Sequence, residues 1–257
     1  LVGKLEPSIT HDWNRKKTAE AIGIRNTERY LTLAHLDVYV ATSMRNDDDF
    51  IEQRKFIKEL FCHPLVSDLK LRYFDPTLSY VPDRITKGLI ECLMLRRAHV
   101  TVYNAGAEDT MGKDSELAAT LAQGKTVIVY VPLSARPTYK CKCGHPKELN
   151  LERRANTFKA DHPLGLQISA KTGVAHGIIV VRTPDECAKM LRKVVLNNLE
   201  FEPPEALQGQ GRIAHKDGNF LLYEKETKSI VRVVSDDLLL THSFWTYFKH
   251  SDAEAEI

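Results

Sequence analysis

His99-Val100-Thr101-Val102-Tyr103 is a β-branched and aromatic run that reads as a strand, and Asn104 to Lys113 is a polar, Gly-containing loop. Ser115 to Gln123 follows as a short helix, and Thr126-Val127-Ile128-Val129-Tyr130-Val131 as a second strand. Asp114 fits an N-cap and Gly124 the C′ position, so the helix has a start and a stop. The second strand is almost wholly β-branched and apolar, as expected of a parallel strand covered on both faces. This strand–loop–helix–strand unit decides the class of fold.

Outward from it the same alternation recurs. Leu36 to Ala41 is a strand, followed by the polar break Thr42 to Asp49. Phe50, Ile51, Phe56, Ile57, Leu60 and Phe61 then recur at helical spacing. Leu69 to Phe74 reads as a strand closed by Asp75-Pro76, and Ile85, Leu89, Ile90, Leu93 and Met94 mark a helix. Downstream, Gly177 to Val181 is a strand, and Thr183 caps a helix with Pro184 at its first position, running to about Asn198. Strands alternating with single helices predict an α/β fold with a doubly wound parallel sheet of the flavodoxin/Rossmann-like kind.

The flanks differ in texture. Residues 1–35 are charged and partly helical (Arg15 to Ile22), an N-terminal arm, and the α/β domain is expected over 36–200 with an insertion at about 133–173. After Pro203-Pro204, residues 205–257 form a C-terminal β-hairpin appendage, with Phe220 to Tyr223 and Ile230 to Val234 flanking Glu224 to Ser229.

Composition narrows the class of function. In 257 residues, 43% are hydrophobic and 27% charged, an ordinary globular balance with room for a sizeable core. A net charge of +2 gives no strong nucleic-acid signal. No run of about 18 apolar residues is present to span a membrane. Five cysteines suit a reducing compartment better than a disulfide framework, so a cytoplasmic location is expected.

In doubly wound sheets ligands bind beyond the carboxyl ends of the strands. Three loops there are unusually polar: Thr42-Ser43-Met44-Arg45-Asn46-Asp47, Asp75-Pro76-Thr77-Leu78-Ser79-Tyr80, and Glu108 to Glu116. The third ends on a carboxylate at an expected helix N-terminus, where the dipole favours its ionised form.

The stretch from Glu108 through Asp109, Gly112, Lys113, Asp114, Ser115 and Glu116 to Gly124-Lys125 and the strand Thr126-Val127-Ile128 resembles the signature of the nucleoside 2-deoxyribosyltransferases. That resemblance implies Glu116 as catalytic nucleophile. It implies Tyr39, in Val38-Tyr39-Val40, as the tyrosine that assists it, and Asp109 as the acid that contacts the base, with a one-residue length difference. Glu91 corresponds loosely to a second acid. Thr42, Ser43, Met44, Asp75, Gly112, Asp114 and Ser115 are the remaining expected substrate contacts. The similarity spans roughly residues 36–132 and reaches again to 177–198. Lys113, Asp114 and Ser115 depart from the family's small residues before the glutamate, which fits a phosphate-bearing ligand or a different leaving group. TIR-type NAD hydrolases also carry a glutamate on a helix after a polar loop.

The implied chemistry is cleavage or transfer of an N-glycosidic bond in a nucleoside, nucleotide or NAD-like substrate, through an oxocarbenium-like state. The family's members complete each other's sites, so a homo-oligomer is expected. The alternative is a non-catalytic nucleotide-sensing or TIR-like interaction module in a larger assembly. Several residues also have plainer explanations: Glu116 as a helix-start glutamate, Tyr39 as a core aromatic, Asp75, Asp109 and Asp114 as turn formers. Cys141-Lys142-Cys143-Gly144-His145 supplies three ligands where structural zinc takes four, so neither a metal nor a cofactor is expected.

Overall fold

The computed structural model describes residues 2–44, 47–106, 111–134, 150–158, 167–169, 175–202, 214–216 and 219–234. The helices α1 (Val2–Thr32), α2 (Asp47–Phe61), α3 (Pro64–Ser67), α4 (Arg84–Arg97), α5 (Met111–Ala122), α6 (Leu151–Asn156) and α7 (Pro184–Val195) surround a mixed sheet. Its parallel part contains β1 (Leu36–Ala41), β2 (Tyr73–Phe74), β3 (Ala98–Asn104), β4 (Thr126–Tyr130) and β6 (Ala175–Val181) in the order β2-β1-β3-β4-β6. The chain moves from β1 outward to β2, then returns across β1 to build β3, β4 and β6 on the other side. This flavodoxin-like order reverses between β1 and β3, and there the loops diverge and leave a crevice.

Alternation along the strands makes two cores. Val38, Val40, Val100, Val102, Ile128, Ile179 and Val181 face α2, α3 and α7. Tyr39, Ala41, Tyr103, Val127, Val129, Ile178 and Val180 face α4, α5 and α6. A two-residue period puts neighbours on opposite faces, so Tyr39 points toward α4 and α5 because Val38 and Val40 point away.

The sheet then continues with changed polarity. β5 (Gln167–Ser169), inside the expected insertion, pairs antiparallel with β6 and parallel with β10 (Ile230–Val234). β10 and β9 (Asn219–Glu224) form the expected C-terminal hairpin, flanked by β7 (Phe201–Glu202) and β8 (Ala214–Lys216). At the hairpin turn Glu224 is buried, and its Oε2 accepts from the Glu226 and Thr227 amides and the Thr227 hydroxyl. Lys189 and Lys193 of α7 reach Glu226 from the main domain at 2.5 and 3.4 Å.

Several sequence expectations change. The arm is one continuous helix, α1, and it seats against the loop after β2. Asn26 Nδ2 donates to the Leu78 carbonyl, and the Tyr80 amide donates to Thr27 Oγ1. Gly23 permits this approach, since a Cβ there would stand 2.4 Å from Tyr80 Cβ. The strand expected over Leu69 to Phe74 shrinks to two residues, because Lys70 takes a left-handed φ of 48° and turns the chain. Of the apolar positions that mark α4, Ile90, Leu93 and Met94 pack against the core together with Leu95, whereas Ile85 and Leu89 are 77% and 67% exposed. Helix α5 begins at Met111, so Asp114 lies in its first turn and not at its cap. By contrast Gly124 has the expected left-handed φ, and Thr183 caps α7 by accepting from the Glu186 amide.

Candidate active site

An ionisable cluster lies where β1, α4 and α5 meet. Tyr39 is held by strand parity and by stacking on Phe74, ring centroids 5.3 Å apart. Its hydroxyl donates to Glu116 Oε1 at 2.7 Å, joining β1 to α5 across 77 residues of sequence. Glu116 is the sixth residue of α5, in its second turn. The dipole that the sequence reading invoked fades within the first turn and gives it little.

Its environment acts the other way. Burial pushes the Glu116 carboxyl up to about 8, with the Tyr39 hydrogen bond opposing, the Glu91 charge adding, and Lys87 and Lys113 opposing. Glu91 projects from α4, which packs against α5, and burial raises its carboxyl too, offset by Lys87. Lys87 and Glu91 lie one helical turn apart with Nζ and Oε1 separated by 3.6 Å. Tyr39 is raised well above the phenol range, first by burial and then by the Glu116 charge. Burial thus works against the ionised form of Glu116, and a cation forming beside it would favour the carboxylate.

A second layer fixes α5. The Tyr103 hydroxyl donates to Asp114 Oδ1 at 2.6 Å. Lys113 is 2% exposed, and its Nζ donates to the carbonyls of Asn104 and Ala105 at 3.1 and 2.6 Å. The Thr120 hydroxyl donates to the Glu116 carbonyl at 2.8 Å and accepts from the Thr101 hydroxyl at 2.9 Å. From α6, Arg154 reaches the same Ala105 carbonyl at 3.2 Å, so part of the expected insertion abuts this end of β3.

The remaining expected residues divide. Thr42, Ser43 and Met44 are half-buried at the carboxyl end of β1, on the crevice side of the fold. Gly112 and Ser115 are exposed on α5, and the Ser115 hydroxyl donates back to the Met111 carbonyl, an ordinary helix-internal bond. Asp75 is fully buried: Oδ1 accepts from the Thr77 amide and hydroxyl, and Oδ2 pairs with Arg54 at 2.6 Å. It builds the turn after β2. Asp109 and the Cys141–His145 group lie outside the described residues. Among the described residues no cluster of His, Cys, Asp and Glu could hold a metal ion, and no helix is long and apolar enough to cross a membrane.

Sequence reasoning missed Lys87, Tyr103 and the burial of Lys113. The i,i+4 spacing of Lys87 and Glu91 was the one available signal. A lysine in a polar loop reads as solvated, and only the tertiary fold buries it.

No family model matches the chain, and no curated protein matches it. Among solved structures, the CMP N-glycosidase BcmB of Clostridium botulinum is similar at 16% identity. The likeness covers 60% of this chain and 96% of that one, with a TM-score of 0.33, too low to decide fold or chemistry.

Proposed function

We propose that this chain cleaves or transfers an N-glycosidic bond in a nucleoside, nucleotide or NAD-like substrate, with Glu116 as the reacting carboxylate. The observation that carries this reading is the 2.7 Å bond from Tyr39 to Glu116 at the reversal of the sheet, with Glu116 half-buried and within the field of a second acid, Glu91. A carboxylate raised by its surroundings and held by one phenol supports this reading, because perturbed acids cluster at functional sites.

As the bond from C1′ to the base breaks, its electron pair leaves with the base, and positive charge grows on C1′ and the ring oxygen. That charge favours transfer of the Glu116 proton to solvent, and the carboxylate then stabilises or captures C1′. Tyr39 keeps one carboxyl oxygen oriented throughout. Glu91, on the neighbouring helix α4, is the group assigned to give a proton to the departing base. Water, or a second base, attacks C1′ to release the sugar. Asp109 is a further proposed contact to the base, and completion of the site by a second copy is a separate proposal that sedimentation would test.

The test is incubation with a mixture of the four deoxynucleosides, ribonucleoside monophosphates and NAD, followed by chromatography for free base. Release by the parent and not by Glu116→Gln is expected. Equal release by both proteins would sink the proposal. Saturable binding of one compound without product would replace it with the nucleotide-sensing reading.

A further inference from the structure

We propose that Gly88 is a specificity-determining residue of the Glu116 site: the side chain it lacks leaves room between α4 and α5 for the leaving nucleobase. The inference rests on reading Glu116 as the reacting carboxylate and Glu91 as the proton donor. It goes beyond that reading in assigning the space where the base lies.

Successive residues of an α-helix turn by about 100°, so each position on α4 has a definable flank. Arg97 lies nine residues after Gly88, on the opposite side of α4, and its guanidinium donates to the carbonyls of Leu31 and Leu33 at the C-terminal end of α1. That side faces α1. Leu95 lies seven residues after Gly88, within about 20° of it around the axis, and is buried in one cluster with Leu117 and Leu121 of α5. Gly88 is therefore on the flank of α4 turned toward α5, and Glu91 follows three residues later on the same face.

The core fills the space around Leu95, but not that around position 88. Among the described residues, a Cβ at Gly88 would meet no atom within 4 Å outside its own stretch of helix. Its φ is not positive, so the backbone does not demand glycine either. Gly23 of α1 is the opposite case, because a Cβ there would stand 2.4 Å from Tyr80 Cβ. Glycine inside a helix is disfavoured against alanine, and Gly88 carries that cost with no packing reason among the described residues. Close approach of a ligand is the remaining physical use of a missing side chain. On α5, Gly112 stands one turn before Glu116 and also meets nothing within 4 Å. Each acid thus follows a glycine with open space beside it. Since Glu91 is the acid assigned to the departing base, the space beside Gly88 is assigned to that base.

The experiment compares the parent with Gly88→Ala and Gly88→Leu. Both replacements suit a helix better than glycine, so the melting temperature should rise, by roughly 2–4 °C for alanine. Base release is measured on the four deoxynucleosides, the ribonucleoside monophosphates and NAD. The loss in kcat/KM should follow side-chain size, about tenfold or more in Gly88→Leu and less in Gly88→Ala. An effect exerted through the helix would follow helix preference instead, with alanine departing furthest from the parent. Where the parent accepts both kinds of base, purines should lose more than pyrimidines. Unchanged kcat/KM, a larger loss in Gly88→Ala than in Gly88→Leu, or an equal loss for purines and pyrimidines overturns the proposal. A lower melting temperature in both variants overturns it as well, since α4 would then need its glycine. If the parent releases no base, the glycosidase reading fails, and the same compounds are followed by equilibrium dialysis. Weaker binding to Gly88→Leu than to the parent would keep the steric role of Gly88. Equal binding to both, or none to the parent, overturns it.

Discussion

Asp75 and Glu116 are both acids near the carboxyl ends of neighbouring strands, and they are treated in opposite ways. Asp75 is saturated: one oxygen accepts from the Thr77 amide and hydroxyl, and the other pairs with Arg54. Glu116 receives one phenol, a nearby carboxylate, and cations that act at a distance. The difference teaches how a structural acid differs from one held for use. The first is compensated by the fold, whereas on the proposed reading the second is compensated only as charge develops on its substrate.

The largest expected effect breaks the comparison most directly. Glu116→Gln should abolish base release, a loss on the order of a thousandfold or more for a reacting group, with the fold intact. Asp75→Asn should instead lower stability by about 1–3 kcal/mol, the cost of a disrupted buried polar group, while retaining activity per folded molecule. Chromatographic rate assays and denaturant titration of both variants decide this. A thousandfold activity loss in Asp75→Asn with normal stability would invert the assignment.

Tyr39→Phe should have the next largest effect on rate. It removes the hydrogen bond that holds the carboxylate, and such bonds to charged groups are worth about 1.5–3 kcal/mol, or roughly ten- to a hundredfold. Because that bond lowers the Glu116 carboxyl, the rate against pH should also rise later in the variant. A pH–rate profile with the same midpoint as the parent would mean that the phenol is core packing only.

The parts of this comparison that the sequence displayed are those with a short-range cause. Strand parity in Val38-Tyr39-Val40 fixes the face of Tyr39, and the run Thr126 to Val131 could hardly be anything but a covered strand. The doubly wound class followed from those patterns, as did the cap at Thr183 and the left-handed Gly124. What escaped reading has a long-range cause. Asp75 is saturated by Arg54, which comes from a different helix. The start of α5 falls at Met111, in a polar stretch where apolar periodicity is silent and only the cap signal at Asp114 could be read. The elements α6 and β5 are six and three residues long, too short for any period to emerge from the insertion. Ile85 and Leu89 are apolar at helical spacing and still face outward, so periodicity identified the helix and only part of its buried side.

The smallest effect follows from proton linkage. Glu116 is raised to about 8 in the folded chain from an ordinary value of 4.5. Between those values the folded state binds more protons than the unfolded one, so this group's contribution to stability falls as pH rises through the window. Below about 4.5 both states are protonated and the penalty is absent; above about 8 it is fully present. Glu116→Gln carries no such charge, so its melting temperature should match the parent's near pH 5 and exceed it increasingly toward pH 8. One unit of raised pKa is worth about 1.4 kcal/mol, and that alone corresponds to roughly 3–5 °C in a chain of this size. Parallel melting curves for parent and Glu116→Gln across pH 5 to 8 would mean that Glu116 is solvated in the free protein, and the contrast with Asp75 would then rest on hydrogen bonding alone.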